Sequence, residues 1–171
     1  MTSDRARLVQ ILEQTYSTLV QLTTSLNDAA LDFRTSLGNA ALDFRASPDE
    51  WSIREVLAHL VDDEMYVMRT RLERIVKEDH PHLTPHDEKK WYAARNTTRD
   101  ALVDLLADFQ LQRSASLGIM KMLRESDWAR EGYQPEYGHF TAEEWLKRWV
   151  DHDATHIQQI ENNLALYRKL T

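Results

Sequence analysis

The sequence predicts an all-α protein, a four-helix bundle, and two observations carry that prediction. In four long stretches the apolar residues return every three or four positions, the stripe that one face of a helix presents to a core. The 171 residues hold four glycines and four prolines, so tight turns are scarce and the connections short. A chain of this length supports one domain with a real core and is too short for two, so residues 1–171 are read as a single bundle.

The first helix is expected from Asp4 to about Leu26, where Leu8, Leu12, Thr15, Leu19, Leu22 and Leu26 alternate by four and three. Ser3 or Asp4 can cap it. A tandem repeat follows, LNDAALDFRTS over 26–36 and LGNAALDFRAS over 37–47. Such copies are shorter than a solenoid unit of about 20 residues or more, so they read as a lengthened connection with one helical turn in each. Ser47-Pro48-Asp49-Glu50 has the form of a helix start, with proline in the first turn and acids near the positive end of the dipole. The second helix is expected from about Asp49 to Lys77, with Ile53, Val56, Leu57, Leu60, Val61, Met65, Met68, Leu72 and Ile75 inward. His59 falls at one margin of that arc, Asp63 one turn further along the same edge, and Glu64 in its middle. A carboxylate so placed must find a partner or shift its pKa, and Arg113 on the third helix is the candidate partner.

The prolines of His80-Pro81-His82-Leu83-Thr84-Pro85-His86 interrupt the pattern. The third helix is expected from about Asp87 to Arg124, with Trp91, Thr98, Leu102, Leu105, Phe109, Ser116, Met120 and Leu123 facing inward beside Arg113. Ser126 to His139, with Gly132, Pro135 and Gly138, reads as a loop. Thr141 and Glu144 then form a capping box, with Phe140 placed for a hydrophobic staple. The last helix runs to about Lys169, its inner arc made of Trp145, Leu146, Trp149, Val150, Ile157, Ile160 and Leu164. His152 and His156 lie on the Trp145/Trp149 edge, and Asp153 lies inside the arc.

Two imidazoles four residues apart on a helix are offset by about 40° and one turn, so both can reach one metal ion. His152 and His156 have that setting. His82 and His86 share the spacing, but they sit among prolines and read, with His80, as a solvated loop. His59 on another helix would supply a third ligand, and bundles hold metals between facing helices in this way. From spacing alone, histidines satisfied within the structure remain the weightier alternative. The chain has no cysteine, which removes disulfides, thiolate metal sites and a cysteine nucleophile together. A formal net charge of −7 with interspersed acids and bases argues against nucleic acid as a partner. No stretch approaches the roughly 18 apolar residues of a membrane span and no signal peptide opens the chain, so a cytoplasmic protein without membrane contact is expected.

WSIREVLAHLVDDE (51–64), GHFTAEEWLKRWVDHDATHIQQI (138–160) and the spacing between them, through Arg113 and Asp127-Trp128, resemble the DinB/YfiT-like superfamily. The tandem copy LNDAALDFRTS (26–36) departs from the single LDFR approach usual there. The resemblance implies a bundle of up-down-down-up connectivity holding a divalent metal ion, zinc, nickel or iron, through His59, His152 and His156. Three histidines leave a coordination position open for water or a thiol. A metal lowers the pKa of water towards about 7 and deprotonates a thiol outright, so hydrolysis and thiolate transfer are both open. Asp63 and Asp153 are the catalytic candidates, to orient ligand histidines or move protons. Characterised relatives imply a transferase that brings a low-molecular-weight thiol, such as bacillithiol or mycothiol, to a small-molecule substrate. A metal-dependent hydrolase is the alternative, as is a non-enzymatic, stress-inducible metal-binding protein; a homodimer is the expected assembly.

Overall fold

The computed structural model describes residues 3–27, 40–95, 97 and 100–170. The first bundle helix is α1 (Ser3–Asn27), which buries Leu12, Thr15 and Leu19. The second is composite, α2 (Ile53–Asp63), a π turn (Glu64–Met68) and α3 (Arg69–Lys77). A short helix, α4 (Glu88–Ala93), precedes the third, α5 (Leu102–Met122). A 3-10 turn (Glu125–Ala129) and a hairpin of β1 (Glu131–Gln134) and β2 (Gly138–Thr141) lead into the fourth, α6 (Ala142–Leu170).

Side-chain pairs give the direction of each helix. Arg5 and Thr15 of α1 meet Glu143 and Asp153 of α6 in the same order, so those helices run parallel. His59, Glu64 and Met68 meet His156, Trp149 and Trp145 in reverse order, so the second and fourth helices are antiparallel. Arg54 meets Asp100 and Glu64 meets Arg113, which makes the second helix parallel to the third. Arg5 meets Glu125 and Glu13 meets Lys121, which makes the first antiparallel to the third. The result is the up-down-down-up bundle that the resemblance implies.

The cap of α6 forms as expected. Thr141 N donates to Glu144 Oε2 at 2.7 Å, Glu144 N donates to Thr141 Oγ1 at 3.1 Å, and Phe140 stacks on Trp145 with centroids 5.5 Å apart. The expected start of the second helix is corrected. Ser47–Glu50 is a turn, closed by Glu50 N donating to Ser47 O at 3.1 Å. The helix begins after Ser52, whose N donates to Glu55 Oε2 at 2.8 Å while its hydroxyl accepts from Glu55 N at 3.3 Å. A reciprocal box satisfies two orphan amides, which outweighs a proline and two acids that satisfy none.

Three further expectations change. The π turn delays the register, so Val67 enters the core and Met65 is only half-buried. The expected Asp87–Arg124 helix is broken between Ala93 and Leu102, where Arg95 is held by Asp62 and Asp100. Trp91 consequently lies 40% exposed, its indole N–H donating to Asp62 Oδ2 at 3.0 Å; Thr98 lies outside the described residues. The expected loop over 126–139 contains β1, paired antiparallel with β2. Its Tyr133 N also donates to Pro81 O at 2.9 Å, and Leu83 N donates to Tyr133 O at 2.8 Å, so the proline-rich segment docks as an extended strand. Gly132 faces this contact, because a Cβ there would stand 3.0 Å from Ile75 and 3.3 Å from Leu83. Of the tandem repeat, residues 28–39 lie outside the described residues, and 40–42 in the second copy are helical.

The core falls into two apolar clusters. One contains Leu12, Leu72, Ile75, Trp145 and Trp149, the other Leu19, Ile53, Leu60, Phe109 and Ile160. Between them every bundle helix contributes a buried polar residue, Thr15, Glu64, Arg113 and Asp153, and the histidines lie beside that layer. No described helix is long and apolar enough to cross a membrane.

Candidate metal centre

His59 comes from α2, whose start the Ser52 box secures, and His152 and His156 come from successive turns of α6. The antiparallel packing of these helices turns the three imidazoles towards one another. His59 Nε2 lies 3.0 Å from His156 Nε2 and 3.2 Å from His152 Nε2. The opposite ring edges face oxygen. His156 Nδ1 lies 2.7 Å from Gln159 Oε1, His59 Nδ1 3.5 Å from Asp63 Oδ1, and His152 Nδ1 3.6 Å from Asp153 Oδ1. A proton on Nδ1, facing oxygen, leaves the Nε2 lone pair directed inward, the tautomer that a metal-ligating histidine takes. Tetrahedral bonds of about 2.0–2.1 Å to zinc would set ligand nitrogens about 3.3–3.4 Å apart. The observed separations come within a few tenths of an ångström of that, so the donor set fits a divalent cation.

Burial pushes His59 down to about 3 and His156 down to about 4, which leaves both rings neutral near pH 7. Burial also opposes protonation of His152, but Asp153 and Asp63 hold it up at about 9. Asp63 is itself drawn down, against its burial, by His152 and His59. Asp153 has a second engagement. Its Oδ2 lies 2.8 Å from Arg113 Nη1 and accepts from Thr15 Oγ1 at 2.8 Å, and Arg113 holds the carboxyl down at about 2 against burial. Arg113 Nη2 meets Glu64 Oε2 at 2.8 Å, as expected, and Trp149 Nε1 donates to the same oxygen at 3.1 Å.

Of the remaining histidines, His80, His82 and His139 are exposed, but His86 is not part of a solvated loop as expected. Its side chain is 18% exposed and its Nε2 lies 3.3 Å from Asp63 Oδ1. The extended docking of Pro81 and Leu83 on Tyr133 carries the chain back over the site, so the prolines that argue against a helix here are what deliver His86. Glu88, on α4, is a further residue missed in the sequence. Its carboxylate comes within 4.8 Å of ligand atoms of His59 and Asp63, and burial and Asp63 raise its pKa. Gln159 could have been found, since it stands three residues after His156 on the same helix face.

Two clefts meet at the site. One, of about 250 Å³, is lined by Asp63, Arg71, His86, Trp145 and His152. The other, of about 640 Å³, is lined by Trp51, His156, Gln159 and Asn163, and Glu88 borders both. Trp145 thus forms an apolar wall, as its position on the histidine edge predicts, whereas Trp149 is fully buried.

Comparison with known proteins bears on the fold and the family. YfiT of Bacillus subtilis (strain 168) is 27% identical over 113 residues, 64% of this chain and 62% of YfiT, so the aligned stretch spans less than two thirds of that relative's length. The solved structure of YfiT, described as "a probable metal-dependent hydrolase with an unusual four-helix bundle topology", superposes with a TM-score of 0.78 at 22% identity, covering 95% of this chain and 87% of YfiT. At that identity the superposition speaks for the fold alone. The family model of the DinB superfamily matches residues 11–160, a span that takes in part or all of each bundle helix and the three histidines, and the chain therefore belongs to the DinB superfamily.

Proposed function

We propose that the protein is a divalent-metal-dependent enzyme in which His59, His152 and His156 hold the metal, and that it transfers the sulfur of a low-molecular-weight thiol to a small-molecule electrophile. The observation that carries the metal is the convergence of three imidazole Nε2 atoms, 3.0 and 3.2 Å from the central one, with every Nδ1 turned to an oxygen. Three-histidine sites suit zinc, nickel or ferrous iron. The description of YfiT as metal-dependent points the same way.

When bound, such a metal lowers the pKa of a thiol or a water placed against it. The chain's own residues then have defined tasks. Gln159 fixes the ring of His156, and Asp153 sets its charge 3.6 Å from Nδ1 of His152. Asp63, beside His59, His86 and His152, accepts the proton that the nucleophile releases, and His86 lies 3.3 Å away to relay it. The sulfur forms a bond to the electrophilic carbon, and the leaving group departs with its bonding pair. Two clefts of about 250 and 640 Å³ at one site favour a reaction of two organic partners, the larger being of the size that holds a small-molecule cofactor. A chain without cysteine must take its thiol from outside.

Hydrolysis is the second reading, favoured by the description of YfiT as a hydrolase, and it needs only one of the clefts. Cobalt substitution separates the two. A sulfur-to-cobalt charge-transfer band must come from added thiol, because the protein supplies none. The transferase reading expects a band that saturates with thiol, strengthens with pH as the thiol ionises, and disappears in His152→Ala. Absence of a band with cobalt bound would overturn it and put hydrolysis first.

A further inference from the structure

Among the described residues three arginines are buried, and two have carboxylate partners. Arg5 pairs with Glu125 and Glu143, and Arg113 pairs with Glu64 and Asp153. Arg71 differs. It is 8% exposed, its Nη2 donates to Thr84 O at 2.8 Å, its guanidinium lies 5.2 Å from the Trp145 ring centroid, and no carboxylate comes within ion-pair distance among the described residues. A guanidinium has five N–H donors in a rigid fork that matches carboxylate and phosphate oxygens. A carbonyl and an aromatic face leave most of that capacity unused, and Asp63 and Glu136 act on the charge only from a distance.

The position of this charge gives it a use. Arg71 lines the smaller cleft together with Asp63, His86 and His152, and Trp145 forms the apolar wall beneath its guanidinium. Arg148 stands on the same cleft, exposed, with its guanidinium 4.5 Å from the Tyr137 ring centroid. Of the acids nearby, Asp63 is engaged by His59, His86 and His152, and Glu136 Oε2 accepts from Gln134 Nε2 at 3.0 Å. Asp151 and Glu88 complete the charged lining.

We propose that the smaller cleft is an anion subsite: it takes the carboxylate or phosphate group of a substrate on the Arg71 fork, with Arg148 drawing the anion in at the rim. The substrate class of the enzyme is then a small electrophile bearing an anionic group. That the substrate is an electrophile, with its reacting atom towards the three histidines, rests on the reading proposed above; the anion subsite does not.

The test titrates metal-free and zinc-loaded protein with succinate and, separately, with inorganic phosphate, followed by calorimetry and by the indole N–H resonance of Trp145. At least one anion binds saturably to both preparations, and the preferred one tells carboxylate from phosphate chemistry. Arg71→Met weakens it about ten- to a hundredfold, Arg71→Lys, which keeps the charge over Trp145, weakens it less, and the exposed control Arg124→Met leaves it unchanged. Saturation by neither anion overturns the proposal, as does affinity unchanged in a folded Arg71→Met or Arg71→Lys. Binding that requires zinc and His59 but ignores Arg71 places the anion on the metal, which overturns the subsite and leaves the metal reading standing. Arg71-dependent binding in a protein that retains no zinc upholds the subsite and removes the metal reading.

Discussion

Adjacent residues of α6 serve two polar clusters built on opposite rules. Asp153 joins Arg113, Glu64 and Thr15 in a layer where opposite charges touch at 2.8 Å. His152 and His156 join His59 in a group where like atoms touch, nitrogen against nitrogen at 3.0 and 3.2 Å, and the nearest carboxylate, Asp63, stands off at 3.5 Å. In the first cluster each buried charge meets one of opposite sign, Arg113 being shared by Glu64 and Asp153. In the second, under the metal reading proposed above, a cation at the centre would supply the missing opposite charge. A polar cluster that assembles the fold can thus be told from one that awaits a ligand by asking which atoms face each other, since both are buried and both lie between the same helices.

The largest expected effect falls on the closed cluster. Arg113→Met strands the carboxylates of Glu64 and Asp153 in the core and should lower stability by about 3–5 kcal/mol; denaturant unfolding measures it, and a loss below 1 kcal/mol would mean that the layer does not depend on the pair. Replacing Glu64 alone should have a smaller effect, because Arg113 keeps Asp153.

On the open cluster the effect should appear only with metal. A ligand at a hundredfold excess over its Kd stabilises by about 2.7 kcal/mol. Wild type should show a zinc-dependent rise in Tm of that origin and His156→Ala none, whereas His82→Ala should keep it; an equal rise in His156→Ala would break the distinction between the clusters. Asp63→Asn should weaken metal binding about 10- to 100-fold, the usual effect of removing a carboxylate behind a ligand histidine. Unchanged affinity would make Asp63 a proton carrier alone.

The smallest effect is graded and depends on pH. In the metal-free protein His152 is held at about 9, so a metal must displace its proton at any lower pH. Affinity should therefore rise about tenfold per pH unit towards pH 9 and then level off. His59 and His156, pushed down to about 3 and 4, add no slope near neutrality. The linked effect on stability has the opposite sign. A folded pKa raised above the ordinary histidine value of about 6.5 stabilises the metal-free fold below that pH, and this contribution is lost as pH rises to about 9. Calorimetric titration across this range checks both, and a flat affinity profile would show that His152 carries no proton.

The elements that follow from one-dimensional periodicity or local capping were readable from the chain. The Thr141/Glu144 box, the inward Glu64 with its Arg113 partner and the histidine edges of α2 and α6 are such cases. The Ser52/Glu55 box is equally local, and its two hydrogen bonds outweigh the start signal of the proline four residues earlier. What could not be read depends on contacts between distant segments. The π turn has no composition of its own, β1 and β2 are four residues each, too short for an alternation to register, and His86 reaches Asp63 only because Leu83 hydrogen-bonds to Tyr133.

The central claim, that the three histidines form a cation site, is tested most directly by elemental analysis of untagged protein purified without chelator and dialysed after exposure to zinc. The account predicts about one divalent metal ion per chain in wild type and in His82→Ala, and almost none in His59→Ala. A wild type that retains no metal, or a His59→Ala variant that retains it in full, would contradict the account.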